Sequence, residues 1–187
     1  MSQAALMAPR SFGFGSLDDG VWGAAWLAAG GEHRLALGAG SEVVTASATV
    51  EPGAPEDTWH VRGEDLELTL SPAGPAALWT EAGDADGMDQ LCRVEGRLAL
   101  TGGSRAVSGP GWRAAGGPGL DGGRTESFRQ VAAWFGPGEG LAVLAVRPRG
   151  ARGQEGDLVS AVIFEPEAAI MVEDPRLSTT YSEDGAP

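Results

Sequence analysis

Residues 109–136 read GPGWRAAGGPGLDGGRTESFRQVAAWFG, and within them Gly117, Gly119 and Gly122 spell G-x-G-x-x-G. As a dinucleotide loop this stretch would make the chain an α/β protein; as a connection between strands it would make it all-β. A working fingerprint needs a buried strand running into the first glycine and a helix starting at the last, so that a pyrophosphate meets the helix N-terminus. The residues before it, SGPGWRAAG, hold too many breakers for such a strand, and the nearest clear strand pattern ends at Leu100. The segment after it satisfies two periods. Phe128, Val131, Ala132 and Phe135 form a helical face, while Phe128, Gln130, Ala132 and Trp134 alternate with Ser127, Arg129, Val131, Ala133 and Phe135 as in a strand.

Periodicity leaves segment 126–135 open, so the rest of the chain must decide. In an NADP site, LAVLAVRPR at 141–149 would be a second strand and Arg147 or Arg149 the 2′-phosphate partner. Only one other piece, GVWGAAWLAAGG at 20–31, could be helical, too little to cover a parallel sheet, and a lone G-x-G-x-x-G weighs little in a chain with 30 glycines. The stretch is therefore read as a glycine-rich connection, with no nucleotide or other cofactor expected.

Working outward, short apolar or alternating runs recur at strand-like intervals. VWGAAWLA at 21–28 and SEVVTASATV at 41–50 are bounded by turn residues. In DLELTL at 65–70, Leu66, Leu68 and Leu70 share one face and Asp65, Glu67 and Thr69 the other, which predicts a half-buried strand. SPAGP then reads as a turn, making AALWTEA at 76–82 its hairpin partner. QLCRVEGRLAL at 90–100 alternates with a slip near Gly96, read as a bulge or bend. LAVLAVRP, DLVSAVIFE and AAIMVED supply later strands, a spacing expected of a sandwich or barrel.

Composition agrees. With 187 residues, 42% apolar, 30 Gly and 12 Pro, the chain suits one compact unit of many short elements. EAGDADGMDQ at 81–90 reads as an acidic connector between lobes 1–83 and 90–187; as a calcium loop it lacks glycine at the sixth position. The net charge is −13, from 26 acidic residues against 13 basic, all of them Arg. That balance argues against nucleic-acid binding. The single cysteine, Cys92, forms no internal disulfide, which suits a cytoplasmic home. No run is long and apolar enough to span a membrane, and the first residues lack a signal-peptide pattern.

Chemistry-bearing motifs are few. His33 and His60 have no metal-ligand spacing, and no G-x-S-x-G elbow occurs. No metal site and no catalytic set can be assigned. Trp112, Arg113, Asp121, Arg124, Glu126, Arg129 and Trp134 do gather aromatic and charged side chains around the connection. At a barrel mouth they would orient an apolar ligand. The plainer alternative makes the Trp residues core and the charged groups surface pairs.

The second half carries a resemblance on Cys92, Val94 and Gly96, on Trp134, and on Arg147 and Pro148. It resembles the lipocalin-like, carotenoid-hydratase and tocopherol-cyclase-related proteins. The resemblance implies an antiparallel barrel, and hence a strand for 126–135. Relatives often carry a His-Ser-Trp-Gly-like mouth loop, whereas this chain has GPGWRAAGG: Trp112 stands in for the aromatic and the histidine is absent, which puts any acid–base role of that histidine in doubt.

The expectation is an all-β, antiparallel lipocalin-like barrel or pair of packed β-lobes with little helix. Its interior would bind a small, mostly apolar, isoprenoid- or lipid-like molecule, with Trp112, Asp121, Arg124, Arg129 and Trp134 at the mouth. The alternatives are a cofactor-independent hydratase, cyclase or isomerase acting on such a ligand, or a structural protein without one. An exposed sheet edge would let two copies pair as a homodimer.

Overall fold

A computed structural model describes residues 10–16, 18, 20–27, 33–39, 42–52, 57–80, 86–100, 103–116, 125–152 and 156–177. The strands are β1 (Arg10–Ser16), β2 (Val21–Leu27), β3 (His33–Ala39), β4 (Glu42–Pro52), β5 (Trp59–Gly63), β6 (Leu66–Pro72), β7 (Ala77–Thr80), β8 (Asp86–Leu100), β9 (Gly103–Ala115), β10 (Thr125–Gly136), β11 (Glu139–Pro148), β12 (Leu158–Glu165) and β13 (Ala168–Met171). Among the described residues no helix is long and apolar enough to cross a membrane.

Two sheets result. β1 to β6 run as an antiparallel meander, β6 pairs with β8, β8 with β9, and β9 returns to β1. That last pairing closes an antiparallel barrel of 8 strands, with β7 added on β8 alone. β10 to β13 form a separate four-stranded antiparallel meander. The seam between the sheets falls after Ala115. The expected acidic connector at 81–90 is in part strand, because Asp86–Gln90 opens β8 and Asp89 and Gln90 are buried there.

The expected hairpin of 65–70 with 76–82 is replaced by a different arrangement. β6 and β7 do not pair with each other; both lie along β8, Leu66–Pro72 against residues 98–92 and Ala77–Thr80 against residues 89–86. They are two pieces of one interrupted strand. Pro72 and Pro75 break the ladder, and the gap is held by Ala73 N donating to Leu91 O at 3.0 Å and Gln90 Nε2 donating to Gly74 O at 2.8 Å.

Alternation sends one face of every barrel strand inward. Phe12, Phe14, Leu35, Leu37, Val61, Leu66, Leu68, Leu70, Val94, Leu98 and Val107 meet in one cluster. Leu35, Leu37, Val61, Leu68, Leu70, Val94 and Leu98 expose no surface even to a water molecule, so the middle of the barrel is filled by its own side chains.

Two glycine-rich stretches read as irregular are regular strand. Register runs unbroken from Met88↔Ala115 to Leu100↔Gly103, so there is no bulge at Gly96. Gly96 instead adopts φ +152 where a Cβ would overlap the Glu67 carbonyl, letting β6 approach β8 closely. SGPGWRAA lies within β9: Gly109 and Gly111 stand where a Cβ would meet Gly15 O at 2.8 Å and Gly13 O at 3.1 Å. Those glycines save space beside β1 and do not break the strand.

Segment 126–135 is also strand, and its pairing Phe128↔Val146 through Trp134↔Gly140 makes β10 the edge of the second sheet. The fingerprint reading therefore loses its helix. Ala132 and Trp134, with Ala142, Val162 and Phe164, pack against Ala77, Leu91, Trp112 and Ala114 on the barrel's outer wall. Gly140 permits the close approach: a Cβ there would lie 3.1 Å from Leu91 and 2.6 Å from the Ala133 carbonyl.

Candidate functional site

Where the β10–β11 turn overhangs the barrel wall, a cleft of about 650 Å³ opens. Leu91, Pro110, Trp134, Phe135 and Pro166 supply its apolar lining, and Arg93 and Ser108 its polar end. Alternation explains the construction. Leu91 and Pro110 point out of the barrel because Cys92 and Val94 point in, while a register irregularity between Trp134 and Gly136 turns Phe135 outward, 71% exposed. Trp134 is fixed by its Nε1–H, which donates to the Gly111 carbonyl at 2.9 Å. Arg93 leans on Glu95 at 2.8 Å, both largely exposed. The described lining residues include no carboxylate and no imidazole.

The expected mouth residues part company. Trp134 lines the cleft. Trp112 lies under the second sheet, 2% exposed, with its Nε1–H unbonded. Arg129 is on the opposite face of β10 from Trp134 and pairs with Asp157 at 2.6 Å, a carboxylate that Arg147 also binds at 2.7 Å. Those N–H donors, Arg147 foremost, hold the Asp157 carboxyl below its ordinary pKa, against the opposing effect of desolvation. Asp121 and Arg124 lie outside the described residues. Of the three that are described, Trp134 lines the cleft and Trp112 and Arg129 do not.

The barrel carries a different polar constellation that the sequence reading missed. At the end where β1 and β5 begin and β6 and β9 finish, the guanidiniums of Arg10 and Arg113 lie 5.4 and 5.1 Å from the Trp59 ring centroid. Arg113 donates from Nε and Nη2 to Gln90 Oε1 at 3.0 and 2.6 Å and from Nη1 to Leu70 O at 3.4 Å. Arg10 Nη1 donates to Val50 O at 3.0 Å. All four side chains are buried. Burial lowers the pKa of both arginines, for Arg113 against the opposing charges of Cys92 and Asp57. The Cys92 thiol beneath is pushed up to about 12, chiefly by burial, which makes it unreactive near neutrality. The available signal was phase: Arg10 alternates in step with Phe12 and Phe14, and Gln90 with Cys92 and Val94.

His60 is part-buried with Nδ1 3.3 Å from Thr69 Oγ1. Among the described residues no group of three or more His, Cys, Asp or Glu is arranged to hold a metal. No family model matches the chain, and no curated protein or solved structure is significantly similar to it.

Proposed function

We propose that the protein binds a small, mostly apolar molecule, isoprenoid- or lipid-like, and that this ligand lodges in the cleft beside Trp134 and Phe135. The barrel fold suits a binder, and the resemblance to lipocalin-like proteins supports the same class of ligand. Side chains fill the middle of the barrel, which favours the outer wall over the interior as the place for a ligand. A single observation carries the reading: Phe135, a large aromatic 71% exposed, stands at the rim of an apolar cleft of about 650 Å³. Arg93 and Ser108 would take the ligand's polar end. Hydration or cyclisation requires a proton donor, and the described lining supplies no carboxylate or imidazole, so binding is the reading this site supports.

Native mass spectrometry of the protein purified from its native cells tests the proposal. A retained apolar adduct, reduced at least about fivefold in Phe135→Ala, is expected, since removing one aromatic wall forfeits roughly 1–3 kcal/mol of contact. An adduct unaffected by that substitution, or bare protein even after incubation with isoprenoid alcohols, would overturn it.

A further inference from the structure

One end of the barrel sets two buried cations beside an apolar interior cluster. Among the described residues, no ion pair includes Arg10 or Arg113. Their acceptors are neutral: the Gln90 side chain and the carbonyls of Leu70 and Val50. Two buried positive charges sharing one indole are costly without a counter-charge, and no described carboxylate pairs with either. Asp57, whose charge acts on Arg113, is itself exposed and makes no ion pair with it.

The donors are unevenly committed. Arg113 uses Nε, Nη1 and Nη2, and Gln90 is spent on both sides, accepting from Arg113 and donating to Gly74. Arg10 uses Nη1, leaving the Nε–Nη2 edge bonded to no described group. The fully buried unbonded donor among the described residues is Trp112 Nε1, so the Arg10 edge still meets solvent. Such an edge presents two parallel N–H groups, the fork that fits a carboxylate.

We propose that this end of the barrel binds the carboxylate of a small organic acid, received by the Nε–Nη2 edge of Arg10 above Trp59, with Arg113 and Gln90 holding the platform. Arg113 contributes its charge and its packing on Trp59 without touching the ligand. One free fork favours a planar monoanion over a phosphate, whose tetrahedral oxygens ask for more donors than this edge offers. The site is separate from the cleft and does not rest on the reading given to it.

Calorimetric titration of the full chain with acetate, benzoate and decanoate, each beside its uncharged amide, tests the assignment. The acids are expected to bind more tightly than their amides by about tenfold or more, the effect of a charge-assisted hydrogen-bond pair. Arg10→Gln should abolish that preference and Arg10→Lys, which keeps the charge and loses the fork, should weaken it, while Phe135→Ala leaves it unchanged. Circular dichroism establishes that each variant is folded, and Arg10→Lys serves if Arg10→Gln is not. No acid outbinding its amide, a preference that survives Arg10→Lys in full, or inorganic phosphate binding as tightly as the acids would each overturn the proposal. So would a preference lost in Phe135→Ala, which would place the acids in the cleft. A plug serving stability alone would show lower thermal stability in the Arg10 variants with no acid preference in the parent protein.

Discussion

The barrel and the four-stranded sheet are made from the same alternating strands, yet they use their two faces differently. In the barrel one face is sealed inside, where Leu68, Val94 and Leu98 are fully buried, and closure through β9 and β1 pairs β1 to β6, β8 and β9 on both sides. In the sheet both faces carry apolar rows. One packs on the barrel through Trp134, Val162 and Phe164, whereas the other carries the rows Val131, Val143, Ala161 and Ala133, Leu141, Ile163, Ile170, with Val131, Ile163 and Ile170 open to water. Closure makes the barrel a sealed support, and the unclosed sheet creates the overhang under which the cleft forms. The barrel's stability should therefore rest on volume, and the sheet's on a few directional contacts.

The largest expected effect is in the barrel. Leu68→Ala removes a side chain with no exposed surface and leaves a hole in a closed wall that cannot collapse far, so urea denaturation should show a loss of about 2–5 kcal/mol. A loss below about 1 kcal/mol would mean that the interior is loosely filled, and would restore the interior as a ligand site.

That closure was only partly legible in the sequence. DLELTL announced its inward leucines because both neighbours, β5 and β8, bury the same face. The pairing of β6 with β8 was hidden by SPAGP, which looks like a hairpin turn but lets the strand resume along the same partner. Segment 126–135 was ambiguous because its small and aromatic residues fit both periods; only the barrel wall beneath Ala132 and Trp134 and the β11 ladder beside them select the strand. Of the candidate site, Trp134 was legible as one of the aromatics gathered around the glycine-rich connection. The Arg10, Trp59, Gln90 and Arg113 constellation was not, because four strands distant in sequence supply it and only closure brings them to one end.

A smaller effect is expected where the sheet is fastened to the barrel. Trp134→Phe keeps most of the buried ring and removes the Nε1–H that donates to Gly111 O. The expected loss is about 0.5–1.5 kcal/mol, the net worth of one such bond. Amide exchange should show it concentrated in β10 and β11, with the barrel strands barely changed. Equal acceleration across β1 to β9 would show that barrel and sheet open as one unit, erasing the contrast between them.

The smallest expected effect distinguishes the two regions by pH. Asp157 is nearly covered, but by the guanidiniums of Arg129 and Arg147, whose own side chains remain 37% and 27% exposed. Both arginines have other contacts as well, so Asp157→Asn should cost at most about 1 kcal/mol at pH 7, as for other partly solvated ion pairs. Because the Arg147 and Arg129 donors lower the carboxyl's pKa in the folded chain, the ionised form is the one the fold favours. Its contribution is therefore complete above the unfolded pKa of about 3.9 and is lost as pH falls through the lower folded value. Urea midpoints of the parent protein and Asp157→Asn should differ by a constant amount from pH 5 to pH 8 and converge toward pH 3. The deficit of Leu68→Ala, which involves no titrating group, should not change as the Asp157 difference closes. If the Asp157→Asn difference persisted undiminished at pH 3, the side chain would be acting by packing, and the sheet would be held together by the same means as the barrel.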